Sequence, residues 1–370
     1  MSNPKTSHIP QLDGLRGIAI LLVISYHYFN SFKIFSFGWS GVDLFFVLSG
    51  FLITGKLLSS VNHQGYFINF YRNRILRIFP LYYTVLIIFY VGVLFFVRQE
   101  HLTNVAFYKG HWKSFFLFMQ NWTFLNDGFP KDKYLLHFWS LALEEQFYLV
   151  WPFIIYFLAN RKIFSMVLII LVLTALALRC LFFFSNPSSS TQQYFSLNTF
   201  CRMDSFVAGA LVCYLYYSKI KINSIVVNLA IAFSIAGIVS SIYIWKSASF
   251  YENPFLQTLG FSLIAFFYAG ILYKLLQPEE TMLIKILSAK WLIFFGKISY
   301  GLYIFHWLVS ITLYHVINNW GTLHLTNNHL IMNIISTIAC IILSIGISVI
   351  SFYYFESYFL SLKKKIDAIE

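Results

Sequence analysis

Apolar runs of about 18 to 25 residues recur from one end of this chain to the other, each long enough to cross a hydrocarbon core of about 30 Å. No water reaches the backbone inside a bilayer, so such a run must close its N–H and C=O groups on itself as a helix. The sequence therefore predicts an all-α polytopic membrane protein. Ten spans are expected, near residues 14–32, 41–59, 78–97, 136–158, 163–184, 202–218, 224–245, 256–276, 292–316 and 330–358. With 59% of its 370 residues hydrophobic and only 11% charged, the chain is not an ordinary soluble domain.

The net charge of +12 raises the question of a nucleic-acid partner. The basic residues, however, sit in short clusters between apolar runs, where membrane topology accounts for them and no nucleic acid is needed. Alternating sides from a cytoplasmic start places roughly twice as many lysines and arginines inside as outside, so both termini are expected in the cytoplasm. The closing LKKKIDAIE then sets lysines against anionic membrane lipids. Cys180, Cys201, Cys213 and Cys340 form no CxxC pair and no metal-ligand spacing, which predicts free packed thiols and no metal. A Cys180–Cys201 disulfide stays open, because both lie near facing span ends. The first run carries no small-residue cleavage site and is expected to be retained. Residues 1–370 read as a single integral-membrane domain, with 98–135 a re-entrant or interfacial outer loop around the apolar piece SFFLFMQNWTF.

Several spans hold residues that lipid disfavours. In QLDGLRGIAILLVISYHYFN, Arg16 and His27 stand eleven positions apart. That spacing returns both to nearly one helix face, about 16 Å apart along the axis. An ionisable group at membrane depth is by default functional or paired. Headgroup anchoring by Arg16 and packing by His27 are the plain alternatives. Asp43 in GVDLFFVLSGFLITG could orient an imidazole, pair with Arg202 or cap its helix. Arg72, Arg74 and Arg77 in FYRNRILRIFPLYY precede Pro80 at an expected helix entrance, where planar guanidinium groups suit phosphate oxygens or simply anchor the span. Glu144 and Glu145 in HFWSLALEEQFYLVWP lie two turns into an apolar span; one could move a proton, hold a histidine or lock two helices by a salt bridge. Arg202 and Asp204 in CRMDSFVAGAL are adjacent enough to pair with each other. Tyr300, Tyr303 and His306 in GKISYGLYIFHW put an imidazole near mid-span, as a ligand contact or a packing group.

These stretches, in this order, resemble the membrane acyltransferase-3 family, which includes bacterial O-antigen and exopolysaccharide O-acetyltransferases. The resemblance covers nearly the whole chain, and the extracytoplasmic domain that many members append is not expected here. It implies transfer of an acyl group, most often acetyl from cytoplasmic acetyl-CoA, to a hydroxyl of a lipid-linked or surface saccharide such as lipopolysaccharide O-antigen. The setting it implies is the bacterial inner membrane. By the same resemblance His27 is the general base, with Glu144 or Glu145 and Asp43 in support, and Arg16, Arg74 and Arg77, with Arg72 beside them, hold CoA. Trp139, Arg202, Asp204, Tyr300 and His306 are assigned to the acceptor. Direct transfer and an acyl-histidine stay open, as does a homodimer. Gly301 stands where the family often has Ser, and Asn73 where it often has a third clustered base.

The competing class is a transporter or flippase of a lipid-linked sugar, in which buried charges relay protons. Against it, the Arg16–His27 pair has no counterpart in the second half of the chain.

Overall fold

The computed structural model describes residues 9–29, 32–95, 102–159, 163–185, 196–277, 281–325 and 328–367, and contains no strand among them. In chain order the helices are α1 (Pro10–Phe29), α2 (Gly41–Ser60), α3 (Tyr66–Phe95), the short α4 (Leu102–Gly110), α5 (Trp112–Phe116) and α6 (Gln120–Asp127), then α7 (Trp139–Leu158) and α8 (Phe164–Ser185). The second half adds α9 (Thr199–Tyr217), α10 (Ser224–Trp245), α11 (Phe261–Leu275), α12 (Met282–Leu287), α13 (Lys290–Lys297), α14 (Ser299–His324), α15 (His329–Ile350) and α16 (Ser357–Asp367). Wider π turns at Leu256–Gly260 and Ser351–Glu356 lead into α11 and α16.

Nine stretches among the described residues are long and apolar enough to cross a membrane. The protein is an all-α polytopic membrane protein, as the apolar runs require. Of the ten expected spans, the one outside this set is α9, whose Arg202 and Asp204 lower its hydropathy. A helix packed inside protein needs no apolar face toward lipid, and eleven residues of α9 are buried. Two boundaries differ from the sequence expectation. Helix α3 begins at Tyr66 rather than near 78, so Arg72, Arg74 and Arg77 lie inside a 30-residue helix and not at its entrance. Hydropathy marks only the part of a helix that meets lipid, and the more polar YFINFYRNR turns are invisible to it. The expected span at 292–316 is broken at Ile298 into α13 and α14. The described part of 98–135 forms helices of 9, 5 and 8 residues, each too short to cross.

The chain divides into two compact units, Met1–Tyr66 with Ser140–Gly296, and Phe67–Trp139 with Lys297–Glu370. In the first, α2 and α9 form the closest helix pair, and α8, α11 and α1 pack around them. Gly50 and Gly209 make that approach possible: a Cβ at Gly50 would stand 1.8 Å from Phe206 O, and one at Gly209 would stand 1.9 Å from Val47 O. Small residues on facing sides let membrane helices touch backbone to backbone. Leu44, Val47 and Phe51 of α2, Ala208 and Val212 of α9, and Ile264 and Leu272 of α11 share the resulting core.

In the second unit α14 packs along α15. Helix α15 turns Ser336, Cys340, Ser344 and Ser348 inward at every fourth position, and leaves Leu330, Ile334, Ile338 and Ile342 exposed. Polar small residues inside and aliphatic ones outside is the pattern of a helix that meets lipid on one side. The four cysteines are free thiols, and Cys180 and Cys201 are not bridged.

Candidate active site

Helix α1 runs unbroken from Pro10 to Phe29, so Arg16 and His27 keep their spacing on one rigid rod. His27 Nδ1 lies 2.9 Å from Val23 O, one turn back along the helix. A carbonyl only accepts, so Nδ1 carries the proton and the lone pair of the neutral ring sits on Nε2. The backbone carbonyl thus fixes the tautomer. Tyr26 meets the imidazole edge-on, with ring centroids 5.2 Å apart.

Glu144 projects from α7 toward α2. Ser49 Oγ donates to its Oε1 at 3.4 Å, and Tyr148 OH stands 3.1 Å from its Oε2 and 3.0 Å from Ser49 Oγ. Gln146 accepts from Thr199 Oγ1 at 2.5 Å, and Trp151 Nε1 donates to Thr54 Oγ1 at 2.8 Å. Successive turns of α7 are therefore pinned to α2 and to the start of α9. Glu145 points about 100° away from Glu144 and is half-buried.

Two buried ion pairs cross on α9. Arg202 Nη2 donates to Asp43 Oδ1 at 2.7 Å, Ser205 Oγ donates to the same oxygen at 2.9 Å, and the guanidinium lies 3.9 Å from the centroid of Phe261. Asp204, two residues on, accepts instead from Arg179 of α8 at 2.7 Å and from Ser262 Oγ at 2.7 Å. Arg179 is 0% exposed and also donates to Thr258 O at 2.9 Å and to Cys201 O. Thr258 lies in the π turn Leu256–Gly260, where the wider coil turns this carbonyl toward the guanidinium. Arg202 and Asp204 do not pair with each other: residues two apart on a helix face different neighbours. Of the readings open for Asp43, the structure shows the pairing with Arg202, and the same Oδ1 accepts from Ser205 Oγ.

The second unit holds the arginine run, His137 and His306. Arg74 and Arg77, three positions apart, share a side of α3, and the Arg74 guanidinium lies 6.0 Å from the Phe70 centroid. Tyr300 OH donates to Ile78 O at 2.7 Å, next to Arg77. His306, 0% exposed, donates from Nδ1 to Leu302 O at 3.0 Å. His137 donates from Nε2 to Ile304 O at 3.1 Å, and the two imidazoles stand edge to face at 5.6 Å. Tyr303 OH closes the group on His137 O at 2.9 Å, while Trp139 opens α7 half-buried.

Sequence reasoning passed over Arg179, His137 and Glu356. The signal for the first and last was present: each interrupts an apolar run, as Arg16 and His27 do. His137 is the second residue of the expected span 136–158, where a polar side chain reads only as a span end.

An acyltransferase domain family matches residues 9–353. Over 321 residues the chain is 30% identical to a protein of Listeria monocytogenes named peptidoglycan O-acetyltransferase OatA, covering 82% of this chain and 50% of that protein. Over 326 residues it is 29% identical to the O-acetyltransferase OatA of Staphylococcus aureus, covering 84% of this chain and 52% of the relative. The chain thus spans about half the length of the curated relatives it matches. No solved structure matches it.

Proposed function

The chain belongs to the membrane acyltransferase-3 family, whose acyltransferase domain takes up residues 9–353, and on that premise we propose that it moves an acetyl group onto a hydroxyl of a cell-envelope saccharide. The observation that carries the proposal is the fixed imidazole of His27, with its lone pair held on Nε2. A base so set removes the hydroxyl proton as the oxygen attacks the thioester carbonyl of acetyl-CoA. The C–O bond forms, the C–S bond breaks, and the CoA thiolate leaves and takes up the proton. Glu144, tied by Ser49 and Tyr148, or Glu145 beside it, would balance the imidazolium while it lasts. Arg74 and Arg77, with Arg72 and Arg16, would hold CoA phosphates, for which guanidinium forks are well shaped.

Trp139 and Tyr300 are the proposed contacts to the acceptor. Arg202 and Asp204, spent on ion pairs, and the buried His306 would act on it only by positioning helices. The Listeria relative's name makes peptidoglycan, rather than lipopolysaccharide O-antigen, the first acceptor to assay. The proposed setting is the bacterial cytoplasmic membrane, with the donor on the cytoplasmic side. Deletion in the native host tests this reading. Base-labile O-acetyl groups should vanish from one envelope saccharide and return with the wild-type gene. Unchanged acetylation of both peptidoglycan and lipopolysaccharide would refute it.

A further inference from the structure

The spanning helices of the second unit contain one carboxylate among the described residues, Glu356, 9% exposed. Nothing in the acyl-transfer scheme uses it. It closes the π turn Ser351–Glu356, where Ser351 Oγ donates to its Oε1 at 3.1 Å. The carboxylate then leans over Gly301 of α14: a Cβ there would stand 3.0 Å from Glu356 Oε1. The bare glycine is space that the carboxylate fills. One residue earlier on α14, Tyr300 is bonded to Ile78 O of α3, beside Arg77 and one turn from Arg74. The carboxylate and the arginine run therefore flank the same turn of α14.

A carboxylate at this depth is held by a cation or is neutral, and a guanidinium at this depth likewise wants an anion. We propose that Glu356 is the counter-charge of the Arg74–Arg77 anion site, neutralising it when no phosphate is bound and giving way when one arrives. The inference rests on the reading of Arg74 and Arg77 as phosphate holders. It adds a residue that sets donor affinity: the phosphate must compete with a carboxylate built into the unit, so the site releases CoA readily after transfer.

The experiment measures binding of CoA, pyrophosphate and pantetheine to the full chain in nanodiscs. It compares wild type with Glu356→Gln and with Gly301→Ala, which keeps the charge but displaces it. Both variants should tighten CoA and pyrophosphate on the order of tenfold, the range of one buried charge contact. Pantetheine, which lacks phosphate, should bind all three proteins equally. An equal gain for pantetheine, or unchanged anion affinity in well-folded Glu356→Gln, overturns the counter-charge. If Glu356→Gln folds poorly, Gly301→Ala decides by the same readout. Wild type that takes pyrophosphate but not CoA contradicts the donor reading alone, and the pyrophosphate series still judges Glu356. Binding of neither anion overturns both.

Discussion

At the scale of single residues, the first unit contains two crossed ion pairs whose members neutralise one another away from water. A buried pair is weak as a source of net stability, but removing one partner strands the other at a cost of about 3–5 kcal/mol. Arg179→Ala leaves Asp204 with only Ser262 as a side-chain partner from another helix. Arg179→Ala should therefore lower the unfolding temperature in detergent and the yield of folded protein, whereas Arg179→Ala with Asp204→Ala should recover part of the loss. A double variant no better than the single one would show that the two side chains are not coupled. The charged residues of apolar runs were readable from sequence because their cost is local. Their partners were only partly so: Arg202 stood among the alternatives for Asp43 and does pair with it, whereas Arg179 was not matched to Asp204, since the two meet only through packing.

At the scale of helices, the contact between α2 and α9 depends on the absence of two side chains. A Cβ on Gly209 would stand 1.9 Å from Val47 O, which is backbone and cannot swing aside. Gly209→Ala should destabilise the first unit by about 1–3 kcal/mol, the usual cost of overpacking. Gly346→Ala makes the control, because nothing lies within 4 Å of the added methyl. The readout is thermal unfolding in one detergent, and equal behaviour of the two variants would contradict the close approach. The helices themselves were legible, because a run of apolar residues in lipid has one solution. Their ends were less so: the polar first turns of α3, the break at Ile298 and the π turns leave no mark in hydropathy.

Across the whole molecule, membership of the acyltransferase family and the nine apolar helices among the described residues agree on a multi-pass membrane protein. The helix backbone sets the tautomer of His27, as it does for His306, and the sequence places these imidazoles but cannot orient them. The most direct measurement is transfer of labelled acetyl from acetyl-CoA to an envelope saccharide by purified protein in liposomes. Wild type is compared with His27→Ala at equal incorporation, with CoA binding measured on the same samples. His27→Ala should bind CoA as wild type does and transfer no label. Transfer by His27→Ala at the wild-type rate would contradict the assignment of His27 as the base.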